Sequence, residues 1–156
     1  MPQGHGNRGG EYAIAGPWCL TVAINIDLSG KTALITGATR GIGKAIAEKF
    51  IEAGATVFLT GTNEADIKQL TCTNKNPNVH WLQADFSTRQ GIDSLIAKLK
   101  CIDRIDICIN NAGINTIKPF EDYSKDEYER LLSVNLTAPF SLAQYLVIGM
   151  KERSFG

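Results

Sequence analysis

Thr32-Ala33-Leu34-Ile35-Thr36-Gly37-Ala38-Thr39-Arg40-Gly41-Ile42-Gly43 is the stretch that decides the fold. A short, β-branched apolar run leads into a glycine turn, and a helical pattern opens directly behind it. In such a strand–loop–helix junction, free backbone N–H groups and the positive end of the helix dipole can meet a pyrophosphate. The spacing gives each glycine a separate role. Gly37 allows the sharp exit from the strand, Gly41 close backbone approach to a ligand, and Gly43 close packing of helix on sheet. An ordinary glycine-rich turn reads similarly, so the rest of the chain has to discriminate.

Composition narrows the field. A chain of 156 residues can bury one sizeable core. Sixteen basic residues balance sixteen acidic ones, so no net field favours nucleic acid or an anionic membrane. Cys19, Cys72, Cys101 and Cys108 form no Cys-x-x-Cys pair and have no His at zinc spacing. They read as reduced thiols of a cytoplasmic protein, with no metal site expected.

Residues 1–26 read as an extension foreign to the rest of the chain, disordered or upstream-derived. Met1–Gly10 is Gly-rich and aperiodic. Ala13–Ile26 is apolar but too short for a bilayer span and is interrupted by Pro17. Arg8 followed by Glu11 makes a poor start for a signal peptide.

From Lys31 onward, strand and helix patterns alternate, which predicts a parallel sheet covered by helices. Strands are expected at Thr32–Thr36, Thr56–Thr60, Asn78–Ala84 and Arg104–Asn110. The first helix carries Ile42, Ile46 and Phe50 at one-turn spacing and stops at Gly54. Asn63 caps a second helix, and Ser87-Thr88-Arg89-Gln90 offers a capping box for a third with the face Ile92, Leu95, Ile96 and Leu99. Ser124-Lys125-Asp126-Glu127 is another box, opening a long helix to about Arg153. The expected class is α/β, a Rossmann-type doubly wound parallel sheet truncated after the fourth βα unit, in strand order 3-2-1-4.

A second motif, Asn110-Asn111-Ala112-Gly113, falls at the carboxyl end of strand four, beside the point where strand order reverses and such sheets bind ligands. Asn and Gly also favour ordinary turns. Thr36-Gly-x-x-x-Gly-x-Gly followed some seventy residues later by Asn-Asn-Ala-Gly resembles the short-chain dehydrogenase/reductase family, over residues 27–156. Within it, the look is nearest to 3-oxoacyl-acyl-carrier-protein reductases.

The resemblance implies a dinucleotide site of Gly37, Thr39, Arg40, Gly41, Ile42, Gly43, Thr60, Asp85, Phe86, Asn111, Ala112 and Gly113. Asp85 would receive the adenine amino group with Phe86 alongside; an acid leading a helix, or a turn residue next to the Ser87 cap, is the plainer alternative. Asn135, read as inward-facing in line with Leu131 and Leu142, would be the active-site Asn that bends its helix and holds a relay water. A water-satisfied core Asn is the plainer alternative. Pro139 would also distort that helix.

NADP is expected over NAD. Thr60-Gly61-Thr62 ends strand two without the carboxylate that grips both ribose hydroxyls, and Arg40 adds a cation in the loop. Arg40 could otherwise be a solvated surface charge.

One departure stands beside the match. The family's Ser and Tyr-x-x-x-Lys supply the proton at the carbonyl oxygen. Here the residues four beyond Tyr12, Tyr123, Tyr128 and Tyr145 are Gly16, Glu127, Leu132 and Gly149. The expectation is an NADP(H)-dependent carbonyl/alcohol oxidoreductase acting on a small-molecule or acyl-thioester substrate, present as an inactive fragment of a homo-oligomeric enzyme. A non-catalytic dinucleotide-binding or interaction module is the alternative, and a Rossmann methyltransferase a weaker third.

Overall fold

Among the described residues, four short apolar runs form parallel strands, as expected for segments buried on both faces. The computed structural model describes residues 26–156, so all but the last residue of the 1–26 extension lies outside the described residues, as do Tyr12, Cys19 and His5. The strands are β1 (Thr32–Ile35), β2 (Thr56–Gly61), β3 (Val79–Gln83) and β4 (Ile107–Ile109). The helices are α1 (Gly41–Glu52), α2 (Glu64–Thr73), α3 (Arg89–Leu99), α4 (Lys125–Leu132) and α5 (Ala138–Glu152). The sheet order is β3-β2-β1-β4, with Ala33 opposite both Val57 and Ile107. The Rossmann-type order 3-2-1-4 read from the sequence is therefore the observed one.

The pleat of β1 divides the core. Leu34 points into a cluster with Ile92, Leu95 and Leu99 of α3 and Ala138, Leu142 and Leu146 of α5. Ala33 and Ile35 point the other way, against Ala47 of α1 and Val57 and Leu59 of β2. By length and composition Lys125–Glu152 would also suit a membrane span, but its row Val134, Ala138, Leu142 and Leu146 is buried in this core. The opposite row is open: Leu136, Phe140 and Ile148 are each more than 60 % exposed.

Several local readings are corrected. Strand four is three residues long rather than the seven of Arg104–Asn110: it pairs only with β1, the Asp106 carboxylate before it takes the Thr32 N–H, and the Asn111 N–H after it goes to the Thr36 hydroxyl. The third helix is capped by Thr88, whose hydroxyl accepts from the N–H of Gly91, and no box forms from Ser87. The Ser87 N–H is already taken by the Asp85 carboxylate at 2.9 Å, so the chain enters its helix one residue later. Ile42 is 74 % exposed, while Gly43 and Ala47 face the sheet. At Gly43 the helix packs against the Gly37 turn just after β1 and the Asn111 side chain, while Ile42 points outward.

The long helix from Ser124 opens on the expected capping box. It is interrupted by a π-helical turn, Ser133–Thr137, before α5. Pro139 has no N–H for the carbonyl of Asn135, and the wider turn accommodates that gap. Asn135 itself is exposed, not inward-facing; Val134 takes the buried position.

Candidate dinucleotide cleft

Thr36, the first residue of the glycine motif, is the hub that joins the two motifs. Fully buried after β1, its hydroxyl donates to the Ile109 carbonyl and accepts the N–H groups of Asn111 and Ala112, each at 3.0 Å. The Asn111 amide donates in return to the carbonyls of Thr36 and Gly37 at 2.9 and 3.0 Å. Thr60, buried at the end of β2, accepts the Gly37 N–H at 3.2 Å. Asn111 and Thr60 thus hold the glycine loop from both sides rather than lining open space.

Gly37 and Gly43 are among the glycines that the geometry requires. Gly37 turns at φ +65°, in the left-handed region that L side chains avoid. A Cβ on Gly43 would stand 2.3 Å from the Gly37 carbonyl oxygen and 2.4 Å from the Asn111 amide nitrogen. Only Gly lets α1 approach the sheet here, and that approach aims its N-terminus at the cleft.

The N-terminus of α1 is left chemically open. Arg40, its cap residue, makes no side-chain capping bond, and no acidic residue lies in the first turn. The helices α2 and α4 are capped by Asn63 and Ser124 and carry acids in their first turns. The first amides of a helix lack intrahelical partners, so those around Gly41 and Ile42 remain available to an anion.

In front of this end lies a cleft of about 260 Å³. Of the sequence-derived site residues, Gly37, Thr39, Arg40, Asp85, Phe86, Ala112 and Gly113 line it. Gly41 and Ile42 are exposed on the first turn of α1 beside it, and Gly43, Thr60 and Asn111 lie behind. The Phe86 ring is buried in the core, so it supports the wall from within. Hydrogen bonding from Ser87 holds the Asp85 carboxyl below the usual carboxylate range, against the effect of partial burial and with help from the Arg130 charge.

Thr62, Asn63, Asp66 and Arg130 also line the cleft; the sequence reading used Thr62 only for the missing carboxylate and Asn63 only as a helix cap, and named neither Asp66 nor Arg130 as a site residue. The first two directly follow β2, a position that could have been read as part of the same rim. Asn135 stands apart from this lining. Its amide oxygen accepts the Ile114 N–H at 2.9 Å and its nitrogen donates to the Ile114 carbonyl at 2.8 Å. The pair ties the π-helical turn to the loop after Gly113. Among the described residues, no group of three or more His, Cys, Asp or Glu could hold a metal ion.

Comparison with known proteins agrees with this architecture. Residues 31–156 match the family model described as short chain dehydrogenase. A 3-oxoacyl-acyl-carrier-protein reductase of Aquifex aeolicus is 37 % identical over 137 residues, covering 85 % of this chain and 55 % of the relative. An NAD-dependent glycerol dehydrogenase of Listeria innocua is 32 % identical over 123 residues, covering 78 % and 48 %. The crystal structure of L-sorbose reductase from Gluconobacter frateurii, complexed with NADPH and L-sorbose, superposes with a TM-score of 0.74 at 28 % identity, covering 83 % of this chain and 51 % of that one. One relative is named for NAD and another holds NADPH, so kinship alone does not choose the cofactor. The chain spans about half the length of the relatives it matches. It belongs to the short-chain dehydrogenase/reductase family of oxidoreductases.

Proposed function

We propose that residues 27–156 are the cofactor-binding part of a cytoplasmic NADP(H)-dependent oxidoreductase acting on a carbonyl or alcohol, with 3-oxoacyl thioesters as the substrate class. The observation that carries this reading is the uncapped, acid-free N-terminus of α1, held against the sheet at Gly43 and opening on the cleft. Its amides would take the pyrophosphate. The free Asp85 oxygen would take the adenine amino group, since the other accepts from Ser87. Arg40 lines the cleft within reach of the end of β2, where Gly61 and Thr62 put no carboxylate against a 2′-phosphate. Of the two acids in the first turn of α2, Glu64 and Asp66, Asp66 lines the cleft.

When bound, the nicotinamide would supply or accept a hydride. The part of these residues in that chemistry is to bind and orient. Thr36, Asn111 and Thr60 fix the glycine loop, and the Asn135–Ile114 pair fixes the loop on the far side. No Tyr with Lys four residues on occurs in the 156 residues, and an amide such as Asn135 is too weak an acid to serve as the proton donor.

Calorimetric titration of the chain with NADPH and NADH tests the assignment. NADPH should bind more tightly, and Arg40→Ala should weaken NADPH while leaving NADH nearly unchanged. A tenfold preference for NADH, about 1.4 kcal/mol in the other direction, would reverse the assignment.

A further inference from the structure

Arg130 is a cleft-lining cation to which the dinucleotide reading assigns no role. It lies on α4, three residues before Ser133 and four before Val134, and so on the same helical face. The Ser133 hydroxyl donates to the Phe86 carbonyl at 2.6 Å, and Val134 is buried in the same core cluster as Phe86. These two contacts pin that face of α4 over the turn Asp85–Ser87. Arg130 therefore lines the cleft near enough to Asp85 for its charge to act on that carboxyl, and Asp66 and Arg40 line the same cleft. Among the described residues Arg130 makes no ion pair, not even with Asp85.

We propose that Arg130 is a cofactor-contact residue whose guanidinium plane closes over the outer face of the purine ring seated beside Asp85. The proposal rests on the dinucleotide reading of the cleft. A planar, delocalised cation suits this place. It is attracted to an aromatic face, it is weakly hydrated, and its long arm can cover the ring from an exposed helix. Lysine would keep the charge but not the plane. The same contact would shield the Asp85–amine hydrogen bond from water on the side where the cleft is open.

The test is titration of the 156-residue chain, with Arg130→Gln and Arg130→Lys, against three probes: NADPH, its reduced hypoxanthine analogue, and inorganic pyrophosphate. Arg130→Gln should weaken NADPH and the hypoxanthine analogue by about tenfold each, because both present a ring face. Pyrophosphate binding should not change, and Arg130→Lys should recover only a small part of the loss. Far-UV circular dichroism and the urea midpoint should match those of the unsubstituted chain. Unchanged NADPH affinity in Arg130→Gln overturns the proposal. An equal loss for pyrophosphate also overturns it, by making Arg130 a phosphate contact, and so does a loss confined to NADPH, by making the effect one on Asp85. If the unsubstituted chain binds neither NADPH nor NADH, the dinucleotide reading itself falls and the role of Arg130 with it.

Discussion

Asp106→Asn should be among the costliest single changes in this chain. Asp106 precedes β4 and is fully buried. Its carboxylate accepts the Thr32 N–H at 2.9 Å, three contacts from Arg104 between 2.7 and 3.0 Å, and lies 3.8 Å from Arg153 Nε. Arg153 also donates to the Ile105 carbonyl at 2.7 Å. One carboxylate thus fastens the start of β1, the start of β4 and the end of α5. Asparagine can still accept from Thr32, but its NH₂ group would face guanidinium N–H, donor against donor. Breaking a buried ion pair from one side costs about 3–5 kcal/mol. Arg104 and Arg153 keep 39 % and 31 % of their side chains in water and can rehydrate, which favours the low end, about 3 kcal/mol.

Equilibrium urea unfolding at fixed protein concentration, followed by tryptophan fluorescence and circular dichroism, measures this directly. With a slope of about 1.5 kcal/mol per molar, the midpoint should fall by about 2 M. The pH dependence gives a second check. Burial pushes the Asp106 carboxyl up, but Arg104, the Thr32 N–H and Arg153 outweigh it and hold it below its ordinary value. The stabilisation is therefore complete above the unfolded carboxyl value of about 3.9 and is lost as pH falls towards the folded one. The gap between wild type and Asp106→Asn should stay level from neutral pH down to about pH 5 and shrink below pH 4. A loss under about 1 kcal/mol, or a gap that widens in acid, would refute the account of Asp106 as the fastening point.

Gly43→Ala should destabilise the chain by about 2 kcal/mol through overpacking and abolish NADPH binding, both read by the same unfolding and titration assays. A variant that binds normally would mean that α1 need not approach the sheet so closely. The open row on the last helix should drive self-association. Sedimentation velocity should show dimers or larger species, converted towards monomer by Leu136→Glu with Phe140→Glu; a sharp monomer before substitution would contradict this. The 156-residue chain should not oxidise NADPH in the presence of 3-oxoacyl thioesters or simple ketones, and steady turnover that survives removal of host reductases would reveal an unrecognised proton donor.

The features legible in the sequence and those that were not divide along a physical line. Strand order, the α1 junction and the Asn63 and Ser124 caps follow from contacts between near neighbours or from packing rules common to all such sheets, and the residues themselves carry them. The misses arise where two local signals compete for one group. Ser87 has the form of a cap, but Asp85 claims its N–H, and Thr88 caps instead. Val134 and Asn135 both satisfy a helical spacing from Leu131, and only the π-helical turn ahead of Pro139 decides that the valine is buried and the amide reaches Ile114. Charged residues were the least legible of all. Asp106 and Arg130 look alike in the sequence, each a polar residue beside an apolar run, yet one is sealed with two arginines and the other stands over a cleft. Their difference lies in partners far along the chain: Thr32 and Arg153 for Asp106, Phe86 acting through Ser133 for Arg130. The Asp106 and Arg130 substitutions therefore probe the two places where tertiary contact, not pattern, assigns the role. Their expected outcomes are opposite: the first should lower stability with or without ligand, the second should leave stability alone and weaken only the dinucleotide.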